Sequence, residues 1–190
     1  MSLITPCLRS NLLRKQPHEI KLLILGDPAV GKTSTVNRFA TSSFEREYKP
    51  TLGTEIFVKE ISVDEEKIIL QVWDLAGSPL FSGVRKGFYK NSDAAFLVCD
   101  LTRPNTLESL KGWTAETFKA LSYHPVYLLV GNKVDLTTEC KVTMQQLQVS
   151  GQKLQVVEIV EASARTGLNV NEAFYTVAKY VLDRKRWLRS

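Results

Sequence analysis

Residues 20–33 read IKLLILGDPAVGKT, an apolar run followed by the pattern GxxxxGK[ST]. This pattern is typical of a phosphate-binding loop when it joins a buried strand to a helix. Both neighbours are predicted here, because residues 20–25 are almost wholly apolar and residues 33–41 suit a helix. Backbone N–H groups and the helix dipole would hold phosphates, Lys32 would add a positive charge, and the Thr33 hydroxyl would ligate Mg²⁺. We therefore expect the chain to bind a nucleoside phosphate.

The composition indicates one globular domain. The chain has 190 residues, of which 44% are hydrophobic and 24% are charged, which is enough for a substantial core. We assign residues 1–18 to a flexible N-terminal extension, 19–186 to the domain and 187–190 to a C-terminal tail. A membrane-lying amphipathic segment is the less favoured interpretation of the extension. The net charge is only +5 and most basic residues are scattered, so we expect no nucleic-acid partner and a monomer.

The sequence contains no apolar stretch long enough to span a membrane and no signal-peptide pattern. Ser2 stands where N-myristoylation needs glycine, and no cysteine lies near the C-terminus for prenylation. We therefore expect a cytoplasmic protein without a lipid anchor in this sequence. Peripheral contact with endomembranes stays open.

Strand and helix patterns alternate along the rest of the chain. Two β-rich runs, 56–63 and 67–73, predict an antiparallel hairpin. The remaining strands are predicted at 20–25, 94–100, 126–130 and 156–160, and the helices at 33–41, 106–121, 143–154 and 169–185, with Asn169 as an N-cap. This order predicts an α/β fold with a mostly parallel sheet and helices on both faces.

In such a sheet, ligands bind beyond the carboxyl ends of the strands. Polar residues follow four of the predicted strands, and the phosphate loop is the first case. After the third strand, Asp74 could hold Mg²⁺ through its water shell, and the N–H of Gly77 could reach a γ-phosphate because glycine permits close approach.

Residues 132–135, NKVD, follow the fifth strand. A fixed carboxylate at Asp135 can accept two hydrogen bonds from guanine, a pair of donors that adenine does not offer. Asn132 could brace the loop and meet the base edge, while the Lys133 stem covers one ring face. By itself NKVD could equally be a solvated turn. Its place after a buried strand, in a chain that binds phosphate, favours base recognition.

Residues 161–165, EASAR, follow the last strand, and a backbone N–H near Ala164 could contact the guanine carbonyl oxygen. The set GDPAVGKT, Thr51, DLAG, NKVD and EASAR resembles the motifs of the Ras superfamily of small GTPases over residues 19–183. Within that superfamily, LGTEI, LVCDLT and FYKN resemble the Rab branch. The resemblance implies a P-loop NTPase fold whose six-stranded sheet has one antiparallel edge strand.

The resemblance also implies the function, a GTP/GDP switch in membrane traffic that needs Mg²⁺. Thr51 would complete Mg²⁺ coordination in the GTP state, and Phe44 would pack on guanine. Without the resemblance, Thr51 could be a turn residue and Phe44 a packing residue. The implied nucleotide-binding residues are Asp27, Pro28, Ala29, Val30, Gly31, Lys32, Thr33, Ser34, Phe44, Thr51, Gly77, Asn132, Lys133, Asp135, Ser163, Ala164 and Arg165. The metal would be held by Thr33, Thr51 and, through water, Asp74.

Effector, exchange and activating proteins would bind the two switch regions, which begin around Thr51 and Gly77. The effector surface of Rab proteins maps onto Ile56, Trp73 and Phe88, with isoleucine in place of the usual phenylalanine. Hydrolysis would depend on Lys32, Thr51, Gly77 and Ser78.

Two positions depart from the family in ways that affect hydrolysis. Ser78 replaces the usual glutamine and is too short to orient the attacking water, so we expect slow GTP hydrolysis. Pro28 removes one N–H from the phosphate loop and adds a ring that puts entry of an activator's arginine in doubt. Arg85 could substitute for that arginine, although a solvated surface position is favoured. The alternative function is a GTP-binding interaction protein with negligible hydrolysis, and NKVD disfavours a third, an ATP-dependent kinase.

Overall fold

The computed structural model describes residues 16–41, 51 and 53–188. Six strands form one sheet in the order β2-β3-β1-β4-β5-β6, and only the β2–β3 pair is antiparallel. The strands are β1 (His18–Leu25), β2 (Thr54–Val63), β3 (Glu66–Leu75), β4 (Ala94–Asp100), β5 (Val126–Asn132) and β6 (Glu158–Ala162). The predicted fold, a six-stranded and mostly parallel sheet with one antiparallel edge strand, is confirmed.

In the described part of the chain, six α-helices surround the sheet. They are α1 (Lys32–Thr41), α2 (Ser82–Arg85), α3 (Pro104–Glu108), α4 (Leu110–Leu121), α5 (Met144–Leu154) and α6 (Val170–Trp187). Two 3₁₀ turns, Pro79–Phe81 and Lys86–Phe88, flank α2. Within the ranges that the structure describes, no helix is both long and apolar enough to cross a membrane.

Both faces of the sheet are covered, because neighbouring strand residues point to opposite sides. On one side, Leu22 packs with Phe39 of α1 and Phe174 of α6, whose rings stack 3.9 Å apart. On the other side, Leu23 packs with residues of α3, α4 and α5, among them Trp113. The loops at the carboxyl ends of the strands are therefore supported by two apolar cores.

Several predicted boundaries shift by one or two residues in the structure, and three differences from the prediction have a visible cause. The single helix predicted at 106–121 is divided at Ser109, whose hydroxyl bonds back to the carbonyl of Thr106 and competes with the helical pattern. The last strand begins two residues later than predicted, because the N–H of Val156 still bonds to Gly151 at the end of α5. Asn169 occupies the predicted N-cap position of α6, but its side chain makes no capping hydrogen bond, since its amide donates to the carbonyl of Glu161 at 2.8 Å.

Candidate nucleotide-binding site

The phosphate loop connects β1 to α1 and contains two glycines at which any side chain would be strained. Gly26 and Gly31 have φ angles of +146° and +97°, which L side chains rarely adopt. A Cβ on Gly26 would lie 2.3 Å from the carbonyl oxygen of Val98, and one on Gly31 would lie 2.1 Å from Nδ2 of Asn132. The loop backbone therefore passes tightly over β4 and β5, which fixes where its N–H groups lie.

Lys32 is buried beneath this loop, with only 6% of its surface exposed. Its ammonium group donates to the carbonyl oxygens of Gly26 and Asp27, at 2.9 Å each. Burial lowers the pKa of Lys32 to about 8, against the attraction of Asp74 and Asp27. The backbone of Gly77 lies against the same group, since a Cβ there would fall 2.6 Å from Nζ. The structure thus brings the predicted residues Lys32 and Gly77 together.

Three oxygen-bearing side chains meet beside Lys32. The Thr33 hydroxyl donates to Oδ2 of Asp74 and lies 2.9 Å from the Thr51 hydroxyl. Asp74 is wholly buried, which raises its pKa to about 6, and its Oδ1 has no hydrogen-bond partner within the described part of the chain. Hydroxyl and carboxylate oxygens are the ligands that Mg²⁺ prefers. These residues fit a magnesium ion, with Oδ1 of Asp74 available to a coordinated water.

On the base side, Asn132 joins two loops. Its Nδ2 donates to the carbonyl of Val30 in the phosphate loop at 2.8 Å, and its Oδ1 accepts the N–H of Ala164 at 3.0 Å. The bracing role predicted for Asn132 therefore has a geometric basis. Because the N–H of Ala164 already has this acceptor, its contact with guanine stays a prediction.

Asp135 is held in place by the loop after β6. The buried hydroxyl of Ser163 donates to Oδ1 of Asp135 at 2.6 Å, and Arg165 Nη1 lies 3.8 Å from Oδ2. The backbone of this loop is bound in turn by Arg38 of α1, which donates to the carbonyls of Ala164 and Arg165. A carboxylate oriented in this way is what two hydrogen bonds to a guanine edge require.

Comparison with known sequences agrees with this geometry. A sequence model of the Ras family matches residues 21–183. The chain belongs to the Ras family. It is 35% identical to the Ras-related protein Rab7 of Drosophila melanogaster over 168 residues, 86% of this chain and 81% of that protein. It is 34% identical to the Ypt/Rab-type GTPase ypt7 of Schizosaccharomyces pombe, over 89% of this chain and 85% of that protein. Human Ras-related protein Rab-12 is 33% identical, over 90% and 72% respectively. This Ras-family chain is therefore Rab-like.

The sequence did not lead us to predict one residue that contacts the candidate site of this Ras-family chain. Asp100, at the end of β4, accepts hydrogen bonds from Nζ of Lys133 at 2.6 Å and Nε of Arg103 at 2.8 Å. Arg103 also donates to the carbonyl of Pro28 in the phosphate loop at 3.2 Å. Asp100 therefore fixes the lysine expected beneath the base. Comparison of all strand ends, rather than four of them, would have identified it.

The two departures from the Ras-family pattern have clear structural places. Ser78 caps the first 3₁₀ turn, with Oγ accepting the N–H of Leu80 at 3.4 Å and Pro79 in the first turn. Pro28 and its neighbour Ala29 lie exposed at the top of the phosphate loop, whereas Val30 is buried and Ser34 is partly buried. The Ser78 hydroxyl is thus engaged in a local turn.

Arg85 is buried, so the favoured interpretation of it as a solvated surface residue is wrong. It is only 6% exposed, and its Nε and Nη2 each donate to one oxygen of the Glu116 carboxylate at 2.9 Å. Its guanidinium lies 4.2 Å from the ring centre of Trp113. Trp113 in turn donates to Oδ1 of Asp27 in the phosphate loop at 3.0 Å. The partner that buries the Arg85 charge, Glu116, lies 31 residues away in the sequence, so no local pattern predicted this burial.

The three residues predicted as an effector surface are neighbours. Ile56 on β2 pairs with Trp73 on β3 and is 50% exposed. The Trp73 ring lies 5.9 Å from that of Phe88. Their use by a partner stays a prediction, as does the predicted contact of Phe44 with guanine, because Phe44 lies outside the described residues.

Proposed function

We propose that this chain is a Rab-like GTP/GDP switch that binds GTP with Mg²⁺ and hydrolyses it slowly to GDP and phosphate, in membrane traffic. The observation that carries the proposal is the meeting of Thr33, Thr51 and Asp74 beside the buried ammonium of Lys32. A fold of this kind could bind a phosphate without hydrolysing it. The three oxygen-bearing side chains and the Lys32 ammonium together suit a complex of Mg²⁺ with a triphosphate. Relatives named as Rab proteins, one of them as a GTPase, support the same function.

Base selection would come from Asp135. Its carboxylate is held by Ser163, so it does not need to be ordered when the base arrives. Guanine would donate two hydrogen bonds to it, whereas adenine would leave a charge unpaired. Lys133, fixed by Asp100, would cover one face of the ring, and Asn132 would hold the base loop to the phosphate loop.

Hydrolysis would depend on positioning, since phosphoryl transfer leaves little covalent chemistry to the protein. Water would attack the γ-phosphorus while the bond to the β–γ bridging oxygen breaks and GDP leaves. Lys32 would stabilise charge on the phosphate oxygens, and Gly77 would approach the γ-phosphate closely. When bound, Mg²⁺ supplies charge neutralisation between the β- and γ-phosphates. Ser78 would contribute little, because its short hydroxyl caps the neighbouring turn.

A direct test is to purify the chain, extract and identify its nucleotide, then follow bound GTP for hours with Mg²⁺. Conversion to GDP over hours supports the switch with slow turnover. GTP that persists unhydrolysed supports the alternative, a GTP-binding interaction protein with negligible hydrolysis, for which Ser78 is the observation. Absence of any guanine nucleotide, and no binding of added GTP, would contradict both.

The same proposal includes the partners and the location. Effector, exchange and activating proteins would bind near Ile56, Trp73 and Phe88, where apolar surface is exposed at the sheet edge. The chain would act as a monomer in the cytoplasm, with peripheral contact at endomembranes. Binding of candidate effectors to the GTP-loaded chain, compared with an Ile56→Asp variant, would test this surface.

A further inference from the structure

We propose that Arg85 is a positioning residue that holds residues 76–89, the second switch region, in one arrangement whether or not a γ-phosphate is bound. The inference rests on the proposed function, in which the nucleotide alternates between GTP and GDP. It concerns the response of the protein to that exchange. Four groups of contacts carry it.

The first contact is between Arg85 and the chain on either side of Gly77. Nη1 of Arg85 donates to the carbonyl of Ser78 at 3.0 Å and to that of Ala76 at 3.3 Å. These two carbonyls flank the residue that is expected to meet the γ-phosphate. Their orientation therefore comes from a protein side chain, and a phosphate group is not needed to impose it.

The second contact anchors Arg85 itself. Its other two donors form a bidentate pair with Glu116 of α4, which is the strong geometry for a guanidinium and a carboxylate. The two side chains are only 7% and 18% exposed, so water offers poor replacement for either partner. Breaking this pair costs far more than breaking a surface pair.

The third contact closes the region at its far end. The buried hydroxyl of Tyr89 donates to Oε1 of the same Glu116 at 2.8 Å. Glu116 therefore accepts hydrogen bonds from both Arg85 and Tyr89, while Arg85 reaches back to residues 76 and 78. Arg85 and Tyr89 therefore contact the Glu116 carboxylate of α4 directly, and the start of the segment is connected to it through Arg85.

The fourth contact joins this assembly to the phosphate loop. Arg85 stacks over Trp113 at 4.2 Å, and the indole N–H of Trp113 donates to Asp27. The loop, α4 and the second switch region are thus connected by side-chain contacts alone. A region ordered only by a γ-phosphate loses its contacts when that group leaves. Every partner in the contacts above is a protein group, so under this proposal they also hold residues 76–89 in the GDP state.

The test is hydrogen–deuterium exchange of peptides covering 76–89, in the full chain loaded with GDP or with a non-hydrolysable GTP analogue. For the unmodified chain we expect exchange rates within about twofold between the two states. Arg85→Ala should raise exchange about tenfold or more in the GDP state, with a smaller rise when the analogue is bound. An unmodified chain that already exchanges tenfold faster with GDP would overturn the proposal, even if the variant does not fold.

A second readout separates positioning from a merely structural role. If Arg85 pre-orders the region, Arg85→Ala should weaken binding of the GTP analogue about tenfold and leave GDP affinity unchanged, because only the γ-phosphate must then order the segment. Equal loss for both nucleotides would refute positioning. Arg85→Lys, which cannot bridge Glu116 and two carbonyls together, should rescue only part of the loss.

Lys90→Ala is the matched control, since it removes an exposed positive charge just beyond the segment and should change neither readout. If no guanine nucleotide binds at all, the proposed function fails. The effect of Arg85→Ala on exchange in the nucleotide-free chain still tests the role of Arg85, so the two failures are distinguishable.

Discussion

Two pairs of buried charges lie near the same edge of the sheet, and they behave in opposite ways. Burial lowers the pKa of Lys32 to about 8 and raises that of Asp74 to about 6, so each group is pushed toward its neutral form. For Arg85 and Glu116, burial acts in the same sense, but their mutual hydrogen bonds more than offset it. The pKa of Arg85 is raised and that of Glu116 is lowered, so both charges are favoured.

The difference shows which pair is complete, meaning that its two charged groups satisfy each other by hydrogen bonds. Arg85 and Glu116 satisfy each other, with Tyr89 adding a further donor. Asp74 keeps an oxygen without a partner among the described residues, and Lys32 reaches only backbone carbonyls. Incomplete, desolvated charges are typical of functional sites, because a ligand supplies what the protein lacks. We therefore expect Lys32 and Asp74 to bind a ligand, whereas Arg85 and Glu116 stabilise each other within the fold.

The largest expected effect is on base recognition by Asp135, a further charged side chain that we expect to bind the nucleotide. Asp135→Asn should lower GTP affinity about 10³-fold or more and shift preference toward xanthine, because the carboxylate can no longer accept two guanine donors. Competition binding with GTP and XTP measures this. Glu139→Gln, an exposed change on the same loop, is the control. Unchanged GTP affinity would refute the base-recognition role.

Breaking the complete pair should damage the fold. Arg85→Ala leaves the mostly buried Glu116 carboxylate with the Tyr89 hydroxyl but without its charged partner, which we expect to cost about 3 kcal/mol of unfolding free energy. Denaturant unfolding of the nucleotide-free chain measures it, with the exposed change Lys90→Ala as the control. A loss below about 0.5 kcal/mol would place this pair with ordinary surface pairs.

Removing a charge from the incomplete pair should have the reverse effect. Asp74→Asn keeps the acceptor for Thr33 but removes the ionised carboxylate, so Mg²⁺-dependent GTP affinity should fall about 100-fold. The unfolding free energy of the nucleotide-free chain should stay equal or rise, because a desolvated charge is gone. Glu55→Gln, an exposed change opposite Asp74 on β2, is the control. A clear loss of stability would mean that Asp74 belongs to the fold after all.

A smaller effect is expected at Ser78. Ser78→Gln should raise single-turnover GTP hydrolysis at least about tenfold, since the longer side chain can reach an attacking water. The hydroxyl cap on the 3₁₀ turn would be lost, so Ser78→Ala separates loss of the cap from gain of the amide and should leave the rate low. Equal rates for all three chains would show that something other than Ser78 limits hydrolysis.

The smallest expected effect is on pH dependence. The pKa of Glu116 is lower in the folded chain than its ordinary value of 4.5, because hydrogen bonds from Arg85 and Tyr89, and nearby Lys86, offset burial. Its stabilisation is therefore present above the unfolded pKa and is lost as the pH falls through the folded one. Unfolding free energies measured from pH 6 down to pH 3 should fall less steeply in Glu116→Gln than in the unmodified chain. Parallel curves would contradict this contribution.

Much of this could be predicted from local patterns. The phosphate loop, the alternation of strands and helices and the residues at the strand ends follow from periodicity and from motifs that connect neighbouring elements. The six-stranded sheet with one antiparallel edge strand followed from the family resemblance, and it was confirmed. The end of the fourth strand was accessible to the same reasoning, yet Asp100 was left out. The misplaced start of the last strand came from Val156, whose N–H completes α5, a choice that an apolar run does not reveal.

The sequence by itself determined the class of the fold, the family and the identity of the residues that could face a nucleotide, because these depend on short-range patterns. Only the tertiary structure decided which charges are satisfied by hydrogen bonds within the protein and which, like Asp74, keep an atom without a partner among the described residues. Arg85 and Glu116 are 31 residues apart, and Lys133, directly after β5, reaches Asp100 at the end of the neighbouring strand β4. The state of a charge depends on the groups within a few ångströms of it, and the folded chain, rather than the order of its residues, brings those groups together.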